Sequence, residues 1–265
     1  MKIIGIHGVP RSGTTWLANL FNSNEYVAYR QQPLFSYAFK GFLNKKSTAD
    51  EISDFFTKIY ESDDEYLHQI NEIKEGKIPK FDKLDTTHLV YKEVRYHHIL
   101  DNLLMNSDMH LLCIIRNPLS VLSSFFKAPS EFNQSWKIED EWLDAPSKNN
   151  NMVENYYGYS KWKEATFEYH RLAKIYGDRV TIVNYKDLLS NTLPLIEKIF
   201  SIYDMEVTNQ TSRFIKESKN FENPNPYSVF KVKQRDDKWK ELIPQKIVEY
   251  IYNDLKGTEL EIYLK

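Results

Sequence analysis

Gly8-Val9-Pro10-Arg11-Ser12-Gly13-Thr14-Thr15-Trp16 is the stretch that decides the fold. An apolar run at 3–7 leads into it, and Leu17-Ala18-Asn19-Leu20-Phe21 leaves it with helical character. Two glycines enclose four residues and two hydroxyl residues open the helix, which is the frame of a Walker A loop. A strand–loop–helix of this kind aims backbone N–H groups and the positive end of a helix dipole at one point, making an anion site. Glycine is needed where the backbone must approach a phosphate closely. The departure from Walker A is Thr14, which stands where lysine would be, so that Arg11 is the loop's cation. An NTPase uses that lysine on the β- and γ-phosphates and the following hydroxyl on Mg²⁺. The loop therefore predicts a phosphate site that does not hydrolyse ATP or GTP.

Working outward, the runs 3–7, 89–91, 111–115 and 180–183 are apolar on both faces, as central parallel strands are. A weaker run at 26–30 is a fifth candidate. Between them Ile52, Phe55, Phe56, Ile59 and Tyr60 repeat at helical spacing behind the capping residues Ser47 and Thr48. Tyr159, Trp162, Tyr169, Leu172, Ala173 and Tyr176 mark another helix, stopped by Gly177, and Leu195, Ile196, Ile199, Phe200 and Tyr203 mark a third. Strands alternating with helices predict an α/β fold: one domain over 1–265, with a central parallel sheet flanked by helices and a P-loop-like phosphate loop. Residues 128–155 and 217–237 lack periodicity and read as lids or binding loops.

Bulk properties narrow the function. The net charge is −2, from 35 Lys and Arg against 37 Asp and Glu, so nucleic acid is not an expected partner and any anion site is local. No apolar run approaches the ~18 residues of a membrane span, and the chain enters its first strand without a signal-peptide pattern. The single cysteine, Cys113, sits in an apolar run and forms no internal disulfide. A cytoplasmic protein fits these features. No His/Cys/Asp/Glu set has metal-ligand spacing, so no metal is expected.

A second anion-binding candidate follows the 111–115 run. Arg116 stands at a strand's carboxyl end, where α/β proteins bind ligands, and Asn117-Pro118 turns the chain into a helix. Ser124 lies about two helical turns on, back on the face where that helix starts. A structural ion pair is the other reading of Arg116.

The nonapeptide resembles the loop that grips the 5′-phosphosulfate in the sulfotransferase superfamily. Cytosolic members usually carry lysine at the Arg11 position; Golgi and tyrosyl-protein members and many bacterial carbohydrate enzymes carry arginine. The resemblance implies transfer of the sulfuryl group of 3′-phosphoadenosine-5′-phosphosulfate (PAPS) to an acceptor hydroxyl on a carbohydrate, glycolipid or other alcohol. It implies that Arg11 contacts the bridging oxygen, that Ser12, Gly13, Thr14 and Thr15 donate to the 5′-phosphate, and that Trp16 packs near the adenine. Arg116 and Ser124 match the family's 3′-phosphate site, where the planar guanidinium fork suits phosphate oxygens. Tyr185-Lys186-Asp187-Leu188-Leu189 resembles the family segment whose tyrosine lies near the adenine. Phe230, Lys233, Trp239 and Lys240 fall at the spacing of the cytosolic enzymes' cofactor-covering loop, although Val232, Gln234 and Asp237 depart from it. Lys233 or Arg235 is the expected phosphate contact there. The likeness runs over 2–240.

Sulfuryl transfer also needs a base and cations around the leaving phosphate. Lys92 stands as far before Arg116 as the cytosolic enzymes' strand lysine does before their phosphate arginine, which implies a second cation beside the sulfate. The same alignment puts the cytosolic catalytic histidine on Val94, and the glutamate of tyrosyl-protein enzymes falls on Gln32. Neither residue takes a proton. The expected base is Glu93 or His97, with His98 and the more distant His88 behind them and the 139–141 acidic run as a fallback. Strand alternation opposes Glu93 if the strand continues past Tyr91. Arg95 would bind an anionic acceptor or form an ion pair, and the loop between Trp136 and Trp142 offers rings for stacking. The alternative functions are a P-loop-type nucleotide kinase or a non-catalytic nucleotide-binding protein.

Overall fold

Each of the five apolar runs becomes a strand: β1 (Lys2–His7), β2 (Val27–Gln31), β3 (His88–Glu93), β4 (His110–Ile115) and β5 (Val180–Asn184). The computed structural model describes residues 1–221, 225, 227–230 and 236–265. The strands form one all-parallel sheet in the order β2-β3-β1-β4-β5. Alternation assigns their side chains to two layers. Ile4, Ile6, Val90, Leu112 and Ile114 face a layer containing Leu17, Leu20 and Phe21 of α1 (Thr14–Asn22). Leu89, Tyr91, Leu111, Cys113 and Ile115 face the other, with Ile52, Phe55, Phe56 and Ile59 of α2 (Ala49–Glu61). Helices on both faces of a parallel sheet make the α/β fold that the pattern predicted.

Local chemistry explains the element boundaries. Thr48 and Glu51 close a reciprocal capping box at the start of α2: the Glu51 N–H donates to Thr48 Oγ1 at 3.3 Å, and the Thr48 N–H donates to Glu51 Oε2 at 2.8 Å. The helix Tyr159–Tyr176 stops at Gly177. The stretch 128–155 is more ordered than its lack of periodicity suggests. It holds two short helices, Ile138–Glu141 and Pro146–Asn149, and the Asn149 amide donates to the carbonyls of Asp144 and Tyr157. The stretch from 217 likewise begins inside the helix Asn209–Asn220.

Topology positions the site. From β1 the chain enters α1 on one face of the sheet; from the adjacent β4 it enters the helix Pro118–Phe126, whose Leu119, Leu122 and Phe125 pack on the other face. Two neighbouring strands that feed helices on opposite faces leave a crevice at their carboxyl ends. Among the described residues no helix is long and apolar enough to cross a membrane.

Candidate active site

The loop between β1 and α1 is shaped by close approach. A Cβ on Gly8 would lie 2.8 Å from atoms of Ile114 and Thr14. Gly13 has φ +91°, and a Cβ there would lie 2.5 Å from the Tyr185 ring. Arg11 also takes a left-handed backbone conformation, with φ 73°. The Ser12 N–H donates to Val9 O at 3.2 Å and closes the turn. The first-turn N–H groups of α1, on Thr14, Thr15 and Trp16, have no intrahelical partner and point with the helix dipole at the crevice.

That crevice is a cleft of about 600 Å³ lined by Arg11, Gly13, Thr14, Thr15, Trp16, Lys92, Arg116, Ser124 and Tyr185. Lys92, at the end of β3, is 2 % exposed and its Nζ lies 3.3 Å from Thr15 Oγ1. Burial pushes its ammonium down to about 8, against the opposing pull of Glu93, Glu131 and Glu72. Arg11 Nε donates to Ser124 Oγ at 3.0 Å, and its Nη1 lies 3.6 Å from Glu131. Arg116 Nε donates to Asp236 Oδ1 at 2.6 Å and its Nη1 to Arg11 O at 3.0 Å. Its guanidinium carbon stands 4.6 Å from the centre of the Tyr185 ring, and Trp162 Nε1 fixes its carbonyl at 2.9 Å. Trp16 meets Tyr185 edge-on at 6.4 Å and donates to Ser218 Oγ at 3.2 Å. The structure thus brings together Arg11, Thr14, Thr15, Trp16, Lys92, Arg116, Ser124 and Tyr185. Lys233 and Arg235 lie outside the described residues.

Three expectations need correction. Ser12 does not reach the cleft: its N–H is used by the turn, and its buried Oγ has no hydrogen-bond partner among the described residues. Glu93 does not reach it either. β3 continues to Glu93, beyond the 89–91 run, and alternation sends Glu93 to the face opposite Lys92. There it is fully buried, its Oε1 accepts the Leu34 N–H at 2.8 Å, and burial pushes the carboxyl up to about 8. His97 is tucked under the sheet by the left-handed residue Tyr96, with its Nδ1 3.3 Å from His7 Nδ1 and 3.2 Å from the Tyr169 hydroxyl. Burial holds its imidazole well below the ordinary range.

None of the remaining candidates lines the cleft. His88 Nε2 donates to Tyr203 O at the amino end of β3. Arg95 stacks on Phe35 at 4.1 Å. Glu141 is buried and accepts the Ser147 N–H. Trp142 packs between Tyr159 and Tyr250, and Trp136 packs on Phe132. Sequence reasoning missed Gln31, Gln69, Glu72, Ser120 and Ser123, all on the cleft wall. Ser120 and Ser123 lie on the same side of the helix Pro118–Phe126 as Ser124, which helical spacing could have shown. Nothing local marks the other three. Among the described residues no group of three or more His, Cys, Asp or Glu could hold a metal ion.

The family model for the sulfotransferase domain matches residues 3–257. The chain belongs to the sulfotransferase family. Its fold is similar to that of mouse sulfotransferase SULT7A1 in complex with PAP, at 14 % identity and TM-score 0.59, over 99 % of this chain and 88 % of that one. A sulfotransferase from Alicyclobacillus acidocaldarius is similar at 11 % identity and TM-score 0.57, over 100 % and 99 %. The sulfotransferase domain of the Synechococcus PCC 7002 olefin synthase is similar at 15 % identity and TM-score 0.52, over 92 % and 89 %. At these identities the likeness establishes a shared sulfotransferase fold. No curated protein matches the chain.

Proposed function

We propose that this sulfotransferase binds PAPS in the cleft at the carboxyl ends of β1, β3 and β4 and transfers its sulfuryl group to an acceptor hydroxyl, with 1–265 acting as one catalytic domain. The observation that carries the reading is the convergence of Arg11, Lys92 and Arg116 on one glycine-built loop and helix N-terminus. The cleft suits the ligand: Gly8 and Gly13 leave no room for a side chain, so backbone donors reach the phosphate directly.

PAPS supplies the activated sulfur when bound. The N–H groups of Thr14, Thr15 and Trp16 hold the 5′-phosphate. Arg11 and Lys92 stabilise negative charge as it gathers on the leaving phosphate. Arg116 holds the 3′-phosphate, with Ser120, Ser123 and Ser124 lining the same cleft. Trp16 and Tyr185 wall the adenine. The mouse enzyme of similar fold was crystallised with PAP, which supports the same nucleotide here.

At the β2–β3 end the cleft wall is amide-rich, with Gln31, Gln32 and Gln69. Amides that donate and accept suit a polyol better than a flat apolar phenol, so the acceptor is a carbohydrate or glycolipid hydroxyl. We place the enzyme in the cytoplasm; its one cysteine, Cys113, is buried and free, as suits a reducing compartment. Incubation with ³⁵S-labelled PAPS and panels of sugars, glycolipids, sterols and phenols tests both statements. Label in none of the acceptors would defeat the first, and label in phenols alone the second.

A further inference from the structure

Sulfuryl transfer to an alcohol requires that a proton leave the hydroxyl, yet the family's two usual bases fall on Val94 and Gln32, while Glu93 and His97 face away from the cleft. The cleft-lining carboxylates among the described residues are Glu72, Glu131 and Asp236. Glu131 pairs with Arg11 and Asp236 with Arg116, at the two phosphate arginines. Glu72 pairs with neither.

Its position is set by the chain after β2. The Gln31 N–H donates to Leu67 O at 2.9 Å, which lays residues 67–74 along the carboxyl end of β2, and α3 (Ile70–Lys74) begins there behind Gln69. Gln31 is the register partner of Lys92, so the two side chains share a sheet face, and Glu72 lines the same cleft beside them. The negative charge of Glu72 reaches Lys92 and also Tyr66, whose hydroxyl accepts from Gln32 Nε2 at 3.3 Å. Glu72 is half-buried, open to the cleft rather than sealed beneath the sheet like Glu93.

We propose that Glu72 is the general base of the transfer, an inference that rests on the function proposed above. Its carboxylate takes the hydroxyl proton as the acceptor oxygen forms its bond to sulfur. The bond from sulfur to the bridging oxygen breaks in the same step, and its electron pair stays on the 5′-phosphate, which Arg11 and Lys92 face. Lys92 stands on the leaving-group side through Thr15, and Glu72 on the acceptor side through the glutamines.

The test is single-turnover release of label from ³⁵S-PAPS, with octyl β-D-glucoside and with water as acceptors, by wild type, Glu72→Gln, Glu72→Ala and the exposed control Glu75→Gln. Binding of adenosine 3′,5′-bisphosphate is measured separately by calorimetry. Glu72→Gln should lose on the order of 10²–10⁴ in rate with bisphosphate affinity unchanged. Added formate, a small carboxylate, should restore part of the rate to Glu72→Ala and none to Glu72→Gln, whose amide still fills the site. Glu75→Gln should behave as wild type. Wild-type rate in Glu72→Gln with normal bisphosphate binding would overturn the assignment of the base. A wild type that binds no bisphosphate, or binds it and transfers to neither acceptor, would overturn the transferase reading itself.

Discussion

Lys92 Nζ stands 3.3 Å from Thr15 Oγ1, so the carboxyl end of the sheet's third strand in sequence touches the first turn of the helix that follows the glycine loop. This contact sets how far the second cation lies from the loop's N–H groups. Because burial brings the ammonium down to about 8, rate should fall as pH rises through that value, as the ammonium is lost. Negative charge from bound PAPS favours the ammonium, so the fall in kcat should lie at higher pH than the fall in kcat/KM. Lys92→Arg should remove the alkaline fall, and Lys92→Met should lose most of the rate while binding the bisphosphate. Rate profiles across pH check the sign; a rate that rises through this range would refute the role.

Arg116 is expected to carry the preference for a 3′-phosphate. Calorimetry should show adenosine 3′,5′-bisphosphate binding far more tightly than AMP, ADP or ATP. Arg116→Ala should lose ~1.5–3 kcal/mol toward the bisphosphate and little toward AMP. Equal affinity of the wild type for ATP and the bisphosphate would count against the site.

Both phosphate arginines hold a carboxylate of the same chain, Glu131 on Arg11 and Asp236 on Arg116. An incoming phosphate competes with them for the guanidinium charge. Glu131→Gln and Asp236→Asn should therefore tighten bisphosphate binding in the same titration. Weaker binding would mean that these carboxylates orient the arginines rather than compete for them.

Transfer should not depend on a divalent cation, since the proposed binding mode puts Arg11 and Lys92 at the leaving phosphate where an NTPase uses Mg²⁺. Activity that disappears in EDTA and returns with Mg²⁺ would favour a kinase-type reading.

Glu93 should matter for stability and not for the proton transfer. Its folded pKa of about 8 lies above the ordinary 4.5, so the folded state binds a proton that the unfolded state releases between those values. Its stabilising contribution is complete below the ordinary value and lost as pH rises toward 8. Glu93→Gln should keep its amide against the Leu34 N–H, transfer near the wild-type rate, and lose less melting temperature than wild type over that pH range. A Glu93→Gln variant that binds bisphosphate but does not transfer would return Glu93 to the mechanism.

The strands and the phosphate loop were legible because both are local: apolar runs, and a fixed order of glycines and hydroxyls. The side on which Glu93 falls was not, because it depends on where β3 ends. That end is set by pairing with Gln31 of β2 and His7 of β1, which the 89–91 run does not encode. His97 was misplaced for a related reason, since the left-handed turn at Tyr96 comes without a glycine to signal it. Glu72 lay beyond any reading of spacing. It reaches the cleft through the hydrogen bond between Gln31 and Leu67, a contact across a long excursion of chain.

The missing methyl at Gly13 makes positions 13 and 185 a single unit for anyone redesigning this enzyme. An alanine at 13 would strike the Tyr185 ring at 2.5 Å and would also have to hold φ +91°. A smaller residue at 185 relieves only the clash, and it removes the ring beneath Arg116. On the proposed binding mode, nucleotide preference cannot be retuned at Tyr185 without disturbing the loop at Gly13 and the seat of Arg116, and libraries that vary these positions separately should be dominated by inactive members.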